Sequence, residues 1–239
     1  MRKHGTNAKL LLRLSTFCFS TLHFLAMQLL ILNRVILLLI AGEFLLVTFL
    51  GLTIPIFSLF IVEEIAGGTV AVVGYSYALY WIVKSVLQIP IARWLDRRSG
   101  EWDDFWVMIA GSILGGLTAM SFYFFARHVS HIYALEALLG VADALVVPPL
   151  YAIFSRHLDR GHESFEWSLQ SSISFDASSA LGAALGGIIG GIFGLRFVFL
   201  FAGLGALLGA ALLLCLRPYI APRARESRTR YPLKSYRRA

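Results

Sequence analysis

Four ionisable side chains in this chain stand where charge is costly. Glu43, Lys84, Asp143 and Asp176 each fall inside a long apolar run. A charge at membrane depth costs a few kcal/mol or more, so it normally has a partner and often a task. Glu43 lies about seven residues into the first run, and Lys84 about eight residues from the end of the second. At about 1.5 Å per helical residue both are roughly 10–12 Å deep. Asp176 enters the fifth run to a similar depth, and Asp143 is near the middle of the fourth. One cation and three carboxylates at compatible depths predict an ion pair of Lys84 with Glu43, Asp143 or Asp176. The sequence leaves that choice open. Such a pair is either a fixed bridge between helices or a site for a solute, ion or proton whose pairing changes. Gln88, Tyr75, Tyr77, Tyr80 and Trp81 share the second run with Lys84. They are candidate solute contacts, although aromatics there more often pack or face lipid.

The elements that must position these groups follow from hydropathy. Hydrophobic residues make up 58% of the chain and charged residues only 15%, with a mean hydropathy of +0.73. A soluble domain of this length carries more charge on its surface. The bilayer core is about 30 Å thick and takes about 20 mostly apolar residues per helix. Six runs qualify: 36–62, 71–92, 105–126, 132–154, 169–192 and 197–216. Their connections are short and no alternating pattern suggests barrel strands, so backbone groups in lipid must be satisfied within helices. The expectation is an all-α membrane protein, a six-transmembrane-helix bundle over residues 36–216.

Lys and Arg fix its orientation. With both termini on the cytoplasmic side, all but three of the 21 Lys and Arg residues face the cytoplasm. The exceptions are Arg127, Arg196 and Lys84. This bias predicts a multi-pass protein of the cytoplasmic (inner) membrane with both ends inside. Residues 217–239 form a basic tail, read as an anchor to anionic lipid headgroups with no nucleic-acid partner. Residues 1–35 are basic and amphipathic. Arg13, Thr16, Ser20, His23 and Gln28 fall on one side of a helical wheel, with Leu11, Leu14, Cys18, Leu22, Leu25 and Leu29 on the other. That segment is either a helix lying in the interface or an extension upstream of a true start at Met27. Cys18 and Cys215 read as buried small hydrophobes. No metal spacing, redox pair or cofactor motif is present.

Small residues and prolines shape the packing. Gly182, Gly186 and Gly190 recur every four residues with Gly187 and Gly191 beside them, a spacing that lets helices approach closely. Gly205 and Gly209 repeat it in the sixth run. Pro148-Pro149 predict a kink in the fourth run and Pro90 a bend near the end of the second. Glu136 is expected to form a rim ion pair with Arg127 or His128. Ser171, Ser172, Ser174, Ser178 and Ser179 read as small polar packing residues. With no serine–histidine or paired-aspartate spacing, an enzyme is not expected.

The turn between the second and third runs is Ala92-Arg-Trp-Leu-Asp96-Arg97-Arg98-Ser-Gly100-Glu101. It resembles the signature loop Gly-x-x-x-Asp-Arg-x-Gly-basic of the major facilitator superfamily. Asp96 and Arg97 match the Asp-Arg, Ala92 replaces the first glycine, and Gly100 falls one place late. In the fifth run, Gly186-Gly187-Ile-Ile-Gly190-Gly191 is similar to the antiporters' Gly-Pro-x-x-Gly-Gly. The fourth run matches their Arg-x-x-x-Gly only at Gly140. Glu136 takes the arginine position, so the family's proton-coupling arginine has no counterpart here. The resemblance covers about residues 36–216, one half of a twelve-helix transporter.

The resemblance implies a secondary active transporter of a small solute working by alternating access. A second six-helix half is then needed, for which a parallel homodimer is geometrically allowed. Glu43, Lys84, Asp143, Asp176 and Gln88 are expected in its cavity. Arg156-His-Leu-Asp159-Arg160 echoes Arg93-Trp-Leu-Asp96-Arg97. Together with Arg98 and Gly100 these corners form the expected gating loops, with Glu163 and Glu166 as partners for Arg97 or Arg98. The rival expectation is a non-transporting membrane scaffold or assembly partner.

Overall fold

A computed structural model describes residues 32–98 and 100–220. The amphipathic segment before residue 32, with Cys18, and the basic tail after residue 220 lie outside the described residues. The chain runs as α1 (Arg34–Gly51), α2 (Phe57–Glu64), α3 (Val70–Asp96), α4 (Glu101–Phe125), α5 (Val129–Arg156) and α6 (Glu163–Leu169). A π-helical stretch (Gln170–Ala177), α7 (Ser178–Phe193), α8 (Leu195–Leu213) and a 3-10 turn (Leu214–Leu216) follow. Among the described residues, six segments are long and apolar enough to cross a membrane: α1, α3, α4, α5, the continuous Glu163–Phe193, and Leu195–Leu216. They are the first to sixth spans below.

Local chemistry sets the ends. Asn33 caps α1 by accepting the Val35 amide at 3.0 Å, and Thr69 caps α3 through the Val72 amide at 3.3 Å. The turn into α4 requires Gly100 at φ 119°. Glu101, Asp103 and Asp104 then occupy the first turn of α4, where the positive end of the helix favours acids. Gly194, at φ 96°, joins α7 directly to α8.

Two boundaries differ from the hydropathy reading. The first run breaks at residues 52–56 around Pro55, so α1 has 18 residues, about 27 Å of helix. The short α2 carries the chain the rest of the way. The fifth span starts at Glu163, six residues before the apolar run, because its first turns are polar. Pro90, Pro148 and Pro149 all lie inside helices that continue through them. Cys215 is exposed rather than buried, on the outward side of the 3-10 turn.

The spans pack as an open arc in the order second, fourth, third, sixth, first, fifth. Only 11% of the second span's apolar window and 22% of the fifth's are buried, against 56% for the third and 50% for the sixth. The two ends of the arc are therefore the bare ones. One apolar cluster unites Ile36, Leu39, Phe105, Met108, Phe154 and Leu213. A second joins Phe57, Phe60, Phe122, Ile132 and Phe199, with Phe122 stacked on Phe199 at 5.1 Å between ring centroids.

The glycine stripe seats the fifth span on the first. A methyl at Gly182 would strike the Thr48 carbonyl, one at Gly186 the Leu52 carbonyl, and one at Gly190 the Ile56 side chain. Gly205 and Gly209 admit Phe49 and Leu46 in the same way. Gly187 and Gly191 do not pack. Nothing lies within 4 Å of a methyl at either, because they occupy the open side of the same helix. Gly186→Ala is therefore expected to cost about 1–3 kcal/mol, the usual penalty of overpacking. Gly187→Ala, in open space inside a helix, is expected to raise stability by about 0.5–1 kcal/mol. Thermal unfolding in detergent micelles checks both.

Candidate functional site

The second and fourth spans meet through three layers. At one, Lys84 Nζ lies 2.8 Å from Asp143 Oδ2, and the Tyr80 hydroxyl donates to the same oxygen. Tyr80 and Lys84 are one helical turn apart, so both reach Asp143 from one face. The ammonium also lies 4.9 Å from the Trp81 ring centroid, a favourable place for a cation. At the next layer Gly140 faces the Tyr80 carbonyl, and a methyl there would sit 2.7 Å from it. The absent side chain lets the helices come close enough for the pair to form. At the third layer Tyr77 lies within electrostatic reach of Glu136.

Glu43 belongs to a separate cluster between the first and fifth spans. It accepts a hydrogen bond from Gln170 Nε2 at 2.8 Å, with Ser174 beside it. Ser174 Oγ also lies 3.3 Å from the Ile40 carbonyl. Gln170 and Ser174 come from the π-helical stretch, a distortion that often marks functional positions in helices. Glu43 and Asp143 lie within electrostatic reach of each other, and Tyr151 within reach of both. The two clusters thus border one region of the bundle.

Of the three partners open to Lys84, the structure selects Asp143. Asp176 joins neither cluster. It is exposed near the middle of the fifth span, deeper than hydropathy implied because the span begins earlier. Ser171 and Ser172 are exposed beside it, while Ser174 and Ser178 are buried. Gln88 is half-buried one turn beyond Lys84. Gln170 escaped the sequence reading because it lies at the very start of an apolar run, where a polar residue reads as a boundary.

The expected rim pair of Glu136 with Arg127 or His128 does not form. At that end Arg196 bonds Glu64 at 3.0 Å and donates to the carbonyls of Tyr123 and Ala126. Glu136 is instead turned inward at 6% exposure.

At the opposite, basic end, Glu163 and Glu166 do not meet Arg97 or Arg98. Glu166 accepts the Asp159 amide at 3.1 Å and Glu163 the Gly161 amide at 2.9 Å. Both brace their own turn rather than bridge to its neighbour. Arg98 lies 3.8 Å from Asp103 and stacks on Trp94 at 4.0 Å. Arg160 is exposed. Arg156 pairs with Asp104, an acid whose side chain is 3% exposed and which the sequence analysis does not single out. His157 lies 3.5 Å from Glu101, and its carbonyl accepts from Asn33 at 3.5 Å. These contacts tie the third, fourth and first spans together. No group of three potential metal ligands occurs among the described residues.

An all-helical bundle of six membrane-capable spans, with ionisable groups facing one another at depth, defines a multi-pass membrane protein. The chain belongs to the Major Facilitator Superfamily, whose sequence model matches residues 14–237. That is a family of membrane transporters. Comparison with curated proteins gives no match.

Arg156→Ala leaves the buried Asp104 carboxylate without its cation. A loss on the order of 1–3 kcal/mol is expected, read as an earlier unfolding transition. Arg156→Gln combined with Asp104→Asn recovers part of that loss.

Proposed function

We propose that this protein is a secondary active transporter of a small solute, acting as one half of a two-bundle device. Two copies, inserted alike in the cytoplasmic membrane with both termini inside, face each other across a central cavity. Residues 36–216 form each half, and the basic tail anchors it to anionic lipid. The observation that carries this reading is Asp176. It is exposed near the middle of the fifth span, which is one of the two bare ends of the arc. A carboxylate facing hydrocarbon there would cost a few kcal/mol or more. The cost falls away if that face lines water or a second bundle.

The second span supports the same orientation. Tyr75, Trp81 and Tyr77 are exposed along it, and Lys84 keeps only part of its surface open. In this reading the spans bearing Lys84, Asp143, Glu43 and Asp176 border the cavity. Solute or ion exchange at Lys84–Asp143 alternates with closure of the second span on the fourth. The pairs at the basic end hold each half rigid while the halves rock. Transport rather than scaffolding is favoured by the position of the Lys84–Asp143 pair, which is partly open on the bare side rather than sealed in the core.

The test is flux in proteoliposomes, screening small cationic, anionic and neutral solutes by solid-supported-membrane electrophysiology. At least one solute is expected to move, and Lys84→Met is expected to lower its flux tenfold or more in protein that still elutes as the wild type does. Absence of flux across the panel, or a Lys84→Met protein altered in stability alone, contradicts transport and favours a scaffold.

A further inference from the structure

Asp143 is engaged through one oxygen only. Lys84 and Tyr80 both bond its Oδ2. Among the described residues no hydrogen bond reaches Oδ1. The Asp143 side chain is 34% exposed, against 15% for Lys84. The acid is therefore the open member of the pair, and the ammonium is the covered one.

Glu43 on the first span lies within electrostatic reach of Asp143, and Tyr151 within reach of both. Glu43 is held by the Gln170 amide at 2.8 Å, a partner that brings no positive charge. Tyr151 is 43% exposed and stands edge-on to Trp167 at 5.7 Å between ring centroids. Two carboxyl groups and one ammonium share this region, so one further positive charge balances it. An anion would meet both carboxyl groups, while the ammonium is already engaged by Asp143.

The chain's own ammonium shows which cation chemistry suits the place. Lys84 Nζ lies 2.8 Å from a carboxylate oxygen and 4.9 Å from the centroid of the Trp81 ring. A carboxylate and a ring face together favour cations with N–H donors, through charge-assisted hydrogen bonds and attraction to the ring. Asp143 Oδ1, Glu43 and the Tyr151 ring offer the same combination a second time, with no cation of the chain in it. A bare metal ion is served less well. It takes about six oxygen ligands, and no group of three potential metal ligands occurs among the described residues. We propose that this place binds a small organic monocation, a primary ammonium or guanidinium on an apolar or aromatic body. The ligand donates to Asp143 Oδ1 and Glu43 while Lys84 keeps Oδ2. Resting on the transport reading, this names the class of solute carried.

Isothermal titration calorimetry on the full chain in nanodiscs tests the site without transport. Phenylethylammonium, phenylethanol and phenylpropionate have similar bodies and differ in charge. The ammonium is expected to bind at least about tenfold more tightly than the other two. Glu43→Gln is expected to remove most of that preference. Tyr151→Leu, at an exposed side chain, covers the case in which the glutamine variant misfolds. It is expected to weaken ammonium binding severalfold, while Tyr151→Phe keeps it. No binding of the ammonium, or no preference for it over the alcohol and the acid, overturns the proposal. So does an affinity unchanged in both Glu43→Gln and Tyr151→Leu. If the ammonium binds but no solute moves in liposomes, the transport reading fails and the cation site stands. If only anionic or neutral solutes move and the ammonium does not bind, the cation site fails and transport stands.

Discussion

The constraint on which this structure depends is that lipid offers no partner to a polar group. Backbone amides and carbonyls satisfy one another inside helices, which fixes the element type. Charged side chains must find their partners across helices, which fixes how the spans are arranged. Lys84 on the second span and Asp143 on the fourth are joined at 2.8 Å, and this contact needs Gly140 to bring the helices close. Glu43 on the first span is met by Gln170 on the fifth at 2.8 Å, on an interface set by Gly182, Gly186 and Gly190. In both places missing side chains create the approach that a polar contact then uses.

The arc that results has two unlike kinds of surface. Its middle spans, the third and sixth, are buried on most sides and carry the aromatic core. Its end spans, the second and fifth, expose aromatic and polar residues side by side. Leu181, Leu185, Ile188 and Ile192 are also exposed on the fifth span, so one helix presents lipid-compatible residues near one end and serines and an aspartate near the other. Charge pairs at both membrane faces, Arg156–Asp104 and Arg196–Glu64, stay within the bundle. Neither pair involves the second or the fifth span, the bare ends of the arc.

Much of this architecture was legible in the sequence. Hydropathy located all six spans, because about 20 apolar residues in a row have few other uses. Boundaries failed where polarity and helicity part company. Pro55 interrupts an apolar run, and the polar turn from Glu163 to Gln170 is nonetheless helical. The four-residue glycine spacing points to a packed stripe at Gly182, Gly186 and Gly190, while Gly187 and Gly191, expected to pack with them, face open space. Depth alone gave Lys84 three equal partners, since the choice among Glu43, Asp143 and Asp176 depends on which spans touch. Asp104 was hidden among the acids that open α4, and Glu163 and Glu166 serve their own turn, a local role that looks the same in sequence as a bridge between loops.

The central claim is that the bare second and fifth spans of one chain are completed by another six-helix bundle, a second copy of this chain. Native mass spectrometry of the full chain, released from nanodiscs or mild detergent, measures this directly. The account predicts the mass of two chains, at twice 26.5 kDa, persisting on dilution. A stable single chain under the same conditions would contradict it.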